Sequence, residues 1–259
     1  MIELYDSHCH LDAPEFDPDR PAVVGRARAC GVRRQLVPAV ERAGWEKLRA
    51  LCADDEALRP AYGLHPMYLE RHRPEHLEDL ARWLADERPA AVGECGLDHF
   101  VAGLDPQAQR TYFIRQLELA REFDLPVVLH ARRAVEEVIA ALRSIGGLRG
   151  VVHSWSGSDE QARQLFGLGF HLGIGGPVTF ERAQRLRRTV ATMPLPFLLL
   201  ETDAPDQPGA GHRGARNEPG FLTDVLAVVA GLRGMAPAEL AVATTGNALR
   251  LFGGPPLSV

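Results

Sequence analysis

The sequence predicts a single (β/α)8 barrel with one extra C-terminal helix. Three observations carry that reading: eight short apolar runs each followed by an amphipathic stretch, a length of 259 residues against the usual ~250 of such barrels, and ligand-type residues gathered at the run ends. The strand-like runs are 2–8, 34–40, 59–64, 90–94, 126–130, 150–153, 171–174 and 196–202. The helical stretches between and after them are 20–30, 43–54, 74–86, 106–123, 133–144, 159–168, 181–192 and 219–232. Strand followed by helix, eight times, implies a parallel sheet with right-handed crossovers. Eight units favour closure over an open sheet.

Helix boundaries carry their own chemistry. Pro74, Pro106 and Pro219 suit first helical positions, where the missing N–H costs nothing. Ser158 and Gln161 are spaced as a capping box. A last helix over 237–252 is expected to cover one barrel end. No linker, low-complexity segment or repeat beyond the βα rhythm interrupts the chain, so residues 1–259 read as one domain.

Composition narrows the classes. Hydrophobic residues make up 46%, enough for a large core. No run of ~18 apolar residues exists, so no membrane span is expected. The acidic start, Met1 to Asp6, does not resemble a signal peptide, and a cytoplasmic monomer is the expectation. Cys9, Cys30, Cys52 and Cys95 form no C-x-x-C pair, which points to reduced, mostly buried thiols. A net charge of −5 excludes a broad basic surface that would bind duplex DNA by charge alone.

His8 and His10 share one face of the first run by alternation. An H-x-H alone is weak, but it has company. Glu94 ends the fourth run, His130 the fifth and His153 the sixth, and Asp203 follows the eighth. These four histidines and two acids fall on the C-terminal rim, where barrel active sites are built. Core histidines and satisfied carboxylates would scatter instead, so the set reads as metal ligands. Neutral imidazole binds Zn²⁺, Mn²⁺ or Fe²⁺, and a carboxylate can bridge two cations. Two ions ~3.5–4 Å apart can hold a bridging hydroxide and lower the pKa of the attacking water. That chemistry suits hydrolysis of phosphate esters, amides or lactones, and the ligand types leave the choice open.

Many two-metal barrel hydrolases bridge their ions with a carboxylated lysine. This chain has one lysine, Lys47, in a helical stretch without ligand-like neighbours. The bridge therefore falls to Glu94.

Taken together, the stretches 6–12 (DSHCHLD), 63–66 (GLHP), 93–98 (GECGLD), 130–132 (HAR), 153–157 (HSWSG) and 201–205 (ETDAP) resemble the TatD family of metal-dependent hydrolases, within the amidohydrolase-like superfamily. Residues 217–219 and 244–247 fit the family's closing segments. The resemblance spans nearly the whole chain. It implies a deoxyribonuclease with 3′→5′ exonuclease activity on single-stranded DNA ends, whose metal-bridged hydroxide attacks the phosphodiester. It implies two divalent ions (Zn²⁺, Mn²⁺ or Mg²⁺), one held by His8, His10, Glu94 and Asp203 and one by Glu94, His130 and His153. Asp203 would also orient or deprotonate the water. His65 would face the substrate phosphate, Arg132 would grip it bidentately, and Trp155 would stack a base or wall the pocket. Glu201, Asp98 and Asp6 would support ligands from behind or cap loops, while Cys9 and Cys95 pack away from the site.

One departure stands out. Asp206 occupies a place where many family members carry an aromatic residue, and Arg213 and Arg216 are the expected counterweights. The alternative substrate is therefore a small ester, lactone, cyclic amide or phosphotriester.

Overall fold

Each apolar run hydrogen-bonds to the next. In the computed structural model, which describes residues 2–254, the strands are β1 (Leu4–Asp6), β2 (Val32–Pro38), β3 (Leu58–Tyr62), β4 (Ala91–Asp98), β5 (Val127–Arg132), β6 (Gly150–Val152), β7 (Phe170–Ile174) and β8 (Leu198–Leu200). All neighbours pair in parallel, in chain order. The seam between β8 and β1 closes just beyond the strand ends. There Ser7 N–H donates to Leu200 O (3.0 Å), Asp203 N–H to His8 O (2.9 Å) and His10 N–H to Ala204 O (2.8 Å). The chain is a (β/α)8 barrel.

The helices are α1 (Arg20–Ala29), α2 (Trp45–Ala53), α3 (Glu75–Glu87), α4 (Pro106–Glu122), α5 (Val135–Ile145), α6 (Asp159–Gly167), α7 (Gln184–Thr192), α8 (Leu222–Arg233) and α9 (Pro237–Phe252). Pro106 takes the first position of α4, with Asp105 accepting from Gln107 N–H. Ser158 and Gln161 form the complete capping box of α6. Pro74 instead caps α3 from outside, and Pro219 opens a short 3-10 turn ahead of α8. No single helix among the described residues is long and apolar enough to cross a membrane.

The inside of the barrel is filled by Tyr5, Leu36, Ala61, Ala91, Val128, Val151 and Leu199, one residue from every strand but β7. Ala248, Leu251 and Phe252 of α9 join this cluster and plug the barrel end opposite the ligand-type residues. Asn247 anchors the plug by donating to Leu195 O and Leu198 O, both at 2.8 Å. Phe252→Ala should cost about 3–5 kcal/mol, read as a Tm lower by about 10 °C.

Several boundaries differ from the sequence expectation, those of β1, β2 and β4 among them. β1 stops at Asp6, so His8 and His10 lie on the extended seam beyond it. β2 starts at Val32, two residues early. β4 does not end at Glu94 but continues to Asp98, because Gly93 and Gly96 lie inside a strand rather than at its end. Gly96 is required there, since a Cβ would stand 2.0 Å from His130 O on β5.

Candidate metal centre

β4 must turn Glu94 inward, and regular alternation would not do it. Ala91 faces the barrel interior, so a strict period of two would send Glu94 out to the helices. The register against β5 slips between Val92 and Cys95, and the extra residue reverses the faces. Glu94 then points into the mouth while Cys95 packs in the outer core. Gly63, just past β3, allows the close approach: a Cβ there would lie 2.6 Å from Gly93 C and 2.9 Å from Glu94 O.

Around Glu94 Oε2 stand three other donor atoms. His8 Nε2 is 3.1 Å and His10 Nε2 3.3 Å from it. The two imidazole nitrogens are 3.2 Å apart, and Asp203 Oδ1 lies 3.5 Å from His8 and 3.7 Å from His10. Donors arranged tetrahedrally at ~2.0–2.2 Å from a cation are ~3.3–3.6 Å from one another. Five of the six edges of that figure are thus measured here, and all lie near this spacing.

Glu94 Oε1 faces a second set. His153 Nε2 is 2.8 Å and His130 Nδ1 3.2 Å away, and these two nitrogens are 3.4 Å apart. His8, His10 and Glu94, and His65, Glu94 and His130, are each grouped closely enough to hold a metal, as are His8, His153 and Glu201. These donor sets fit divalent ions.

Hydrogen bonds behind the rings set the tautomers. His10 Nδ1 faces Pro38 O (3.1 Å), a pure acceptor, so Nε2 can present its lone pair inward. His130 Nε2 donates to Asp98 Oδ2 (2.8 Å), leaving Nδ1 toward Glu94. His65 differs. Met67 N–H donates to its Nδ1 (3.1 Å), which puts the proton on Nε2 and makes His65 a donor to Glu94 Oε1 (2.9 Å). Its geometry is that of a hydrogen-bond donor rather than a ligand. Asp98→Asn should weaken metal affinity 10–100-fold by loosening His130, measured by competition with a chelating dye.

Electrostatics agree with a cation centre. Burial alone would push the Glu94 carboxyl up, but the imidazoles around it, His153 foremost, hold it well below its usual range. Burial, helped by His153 stacked at 3.9 Å, pushes the His8 imidazole well down, so it is neutral. Burial takes His65 down to about 4. Burial opposes protonation of His10 and His153 too, yet Glu94 beside them carries His10 up to about 9 and His153 to about 10. Both imidazoles therefore hold an extra proton at neutral pH in the metal-free protein and must shed it to ligate. Apparent metal affinity should rise with pH until about 9–10, with proton release on binding seen by calorimetry in buffers of different ionisation enthalpy.

Two groups escaped sequence reasoning. Gln207 Nε2 donates to Asp203 Oδ2, and Ser154 Oγ donates to Gln207 Oε1 (2.9 Å), so both oxygens of Asp203 are directed. Neither residue type announces such a role. Asp6 braces the seam instead of a ring, accepting from Thr202 Oγ1 (2.6 Å), Thr202 N–H (2.9 Å) and His8 N–H (3.3 Å). Glu201 accepts from Ser154 N–H (2.5 Å) and sits 3.8 Å from His153 Nδ1.

The remaining candidates are spread more widely. Arg132 is exposed at the end of β5, with its guanidinium 3.7 Å from the Phe100 ring centre. Trp155 does not line the mouth: it is 3% exposed within the core, so no base can stack on it. Ser154 has a left-handed backbone (φ 46°), which breaks the alternation that would have kept Trp155 beside His153. Arg216 is spent on Asp19 and Glu218, whereas Arg213 stacks on Phe180. Lys47 pairs with Asp17 on the surface (2.7 Å).

Comparison with known proteins adds four findings. A family model described as TatD related DNase matches residues 5–253. The metal-dependent hydrolase YjjV of Escherichia coli K12 is 43% identical over 261 residues, spanning 98% of this chain and 100% of that protein. The crystal structure of that TatD homolog superposes with a TM-score of 0.94 at 40% identity, covering 98% of this chain and 99% of the other. The 3′-5′ ssDNA/RNA exonuclease TatD of Cronobacter sakazakii is 35% identical over 96% of this chain and 97% of its own length.

Proposed function

The chain belongs to the TatD-related DNase family and is a metal-dependent hydrolase, and from that premise we propose that it removes nucleotides from the 3′ ends of single-stranded DNA. One observation carries the reading furthest: the two oxygens of a single buried carboxylate, Glu94, face two separate sets of ring nitrogens. His8, His10, Asp203 and Glu94 Oε2 would hold one divalent ion, and His130, His153 and Glu94 Oε1 a second. Mixed nitrogen and oxygen donors favour Zn²⁺ or Mn²⁺, with Mg²⁺ the exchangeable alternative. When bound, such ions acidify water and neutralise charge on the phosphoryl oxygens.

The chain's own groups do the rest. Asp203, with Oδ2 fixed by Gln207, orients the attacking water and takes its proton. His65 is neutral and carries its proton on Nε2, so it can turn that N–H from Glu94 to a phosphate oxygen. Arg132 supplies a guanidinium at the same rim for bidentate contact with phosphate. A monomeric, single-domain, cytoplasmic enzyme is part of the same proposal; size-exclusion chromatography against 28.4 kDa checks the first point.

The test is digestion of a 5′-labelled single-stranded oligonucleotide, with product sizing. A ladder shortening from the 3′ end, with 5′-mononucleotides released, is expected; EDTA should stop it and added metal restore it. The exposed Asp206 carboxylate, next to the site, favours a second reading in which the substrate is a small ester, lactone, cyclic amide or phosphotriester. Turnover of such a panel with an intact oligonucleotide would select that reading and remove the first. A matched RNA strand in the same assay ranks DNA against RNA.

A further inference from the structure

The metal cluster leaves one conspicuous side chain at the rim unused. Phe100, two residues past the end of β4, is 47% exposed. Its ring carries two guanidinium groups, that of Arg132 at 3.7 Å and that of Arg133 at 4.6 Å from the centroid. Among the described residues neither arginine is paired with a carboxylate, although their neighbour Arg110 is held by Glu137 (2.9 Å). Two unneutralised cations and an exposed apolar ring therefore share one spot at the barrel mouth.

The spot is wired to the metal centre. Asp98 Oδ1 accepts from Phe100 N–H (2.8 Å) and Val101 N–H (2.9 Å), while its Oδ2 accepts from His130 Nε2–H (2.8 Å). One carboxylate thus fixes both the turn that presents Phe100 and the ring of a candidate ligand. Arg133 reaches the ring from a left-handed backbone (φ 57°), a conformation a bulky residue adopts only when its surroundings impose it. Strand alternation sends Arg132 to the inside of the mouth with His130; the reversal at Arg133 brings a second guanidinium back to the same ring.

We propose that Phe100, Arg132 and Arg133 form the subsite for the nucleotide adjoining the scissile phosphate. Its base stacks on the Phe100–guanidinium pile, Arg132 contacts the scissile phosphate and Arg133 the next one. This rests on the nuclease reading above and specifies it. An aromatic face with adjacent arginines accepts any unpaired base and follows the backbone by charge. The subsite also takes over the stacking role that Trp155, buried in the core, cannot perform. A base held this way must be unpaired, so the subsite selects single strands, and a small ester has nothing to place on it.

The experiment compares kcat/KM for a single-stranded oligonucleotide with that for methyl p-nitrophenyl phosphate, a diester with no base, in metal-loaded wild type and variants. Loss of one base–aromatic stack corresponds to roughly a 5- to 150-fold effect. Phe100→Ala should therefore lower the oligonucleotide-to-diester ratio at least about 5-fold, mainly through KM. Phe100→Leu, which keeps apolar bulk without a π face, should fall with it, and Phe100→Trp should recover the ratio. Arg133→Gln should reduce the slope of log KM against log salt by about 0.7, the share of one phosphate contact on a single strand. A ratio within about 2-fold of wild type in Phe100→Ala, with oligonucleotide still cleaved, overturns the subsite and leaves the nuclease reading standing. Diester turnover with no oligonucleotide cleavage in wild type overturns both. Recovery by leucine as complete as by tryptophan marks Phe100 as structural and also overturns the subsite.

Discussion

Glu94→Gln is expected to lower kcat/KM by about 10³-fold, the scale of the several kcal/mol that a metal centre supplies to a charged transition state. The argument is one of atoms. Glu94 offers Oε2 to His8 and His10 and Oε1 to His130 and His153. A glutamine has one carbonyl oxygen and one NH2 group, and the NH2 cannot ligate. Whichever way the amide turns, one nitrogen set keeps an oxygen and the other loses it. The substitution also removes the negative charge that lifts His10 and His153, so their pKa values should fall toward and below the ordinary imidazole value. Metal analysis after gel filtration should show less metal per chain than wild type under identical loading. A variant that keeps full metal content and wild-type turnover would remove Glu94 from the centre.

Asp203→Asn should lose about 10²–10⁴-fold in kcat while leaving Tm close to wild type. Asp203 has a left-handed backbone (φ 58°), which asparagine tolerates better than almost any other residue, so the substitution adds no backbone strain. The side chain is another matter. Gln207 Nε2 can only donate, and its own Oε1 is already taken by the Ser154 hydroxyl. The introduced amide must therefore give its carbonyl oxygen to Gln207 and turn its NH2 toward His8 and His10. That replaces a candidate ligand and proton acceptor by a donor. Gln207→Leu is the informative partner. It frees Asp203 Oδ2 without changing its charge, so a smaller loss than in Asp203→Asn is expected, and an equal loss would show that orientation of the carboxylate matters as much as its charge.

Most of the barrel was readable because its signals are local. Eight apolar runs, eight amphipathic stretches and a capping box at Ser158 depend on residues within a few positions of one another. The ligand types at run ends were readable too, since parallel strands deliver their C-terminal ends to one face. What the chain concealed was the consequence of irregular backbone. The fourth run was expected to end at Glu94, yet the strand continues through Gly96 to Asp98. Trp155 was expected to stack a base or wall the pocket, yet beyond the left-handed turn at Ser154 it is buried in the core. His65 was legible as either a turn cap or a site residue, and its two ring nitrogens do both, one toward Met67 and one toward Glu94.

By itself the order of residues determined a parallel barrel and the kinds of side chain that ring its mouth, because periodicity and strand polarity need no distant partner. Only the folded chain decided that Glu94 looks inward, since a register slip between two neighbouring strands sets its direction. It alone decided which ring nitrogens carry protons, because Pro38, Met67 and Asp98 reach those rings from separate loops and strands. Pairings across the seam, Asp203 N–H on His8 O and His10 N–H on Ala204 O among them, come from segments that only closure of the cylinder brings together.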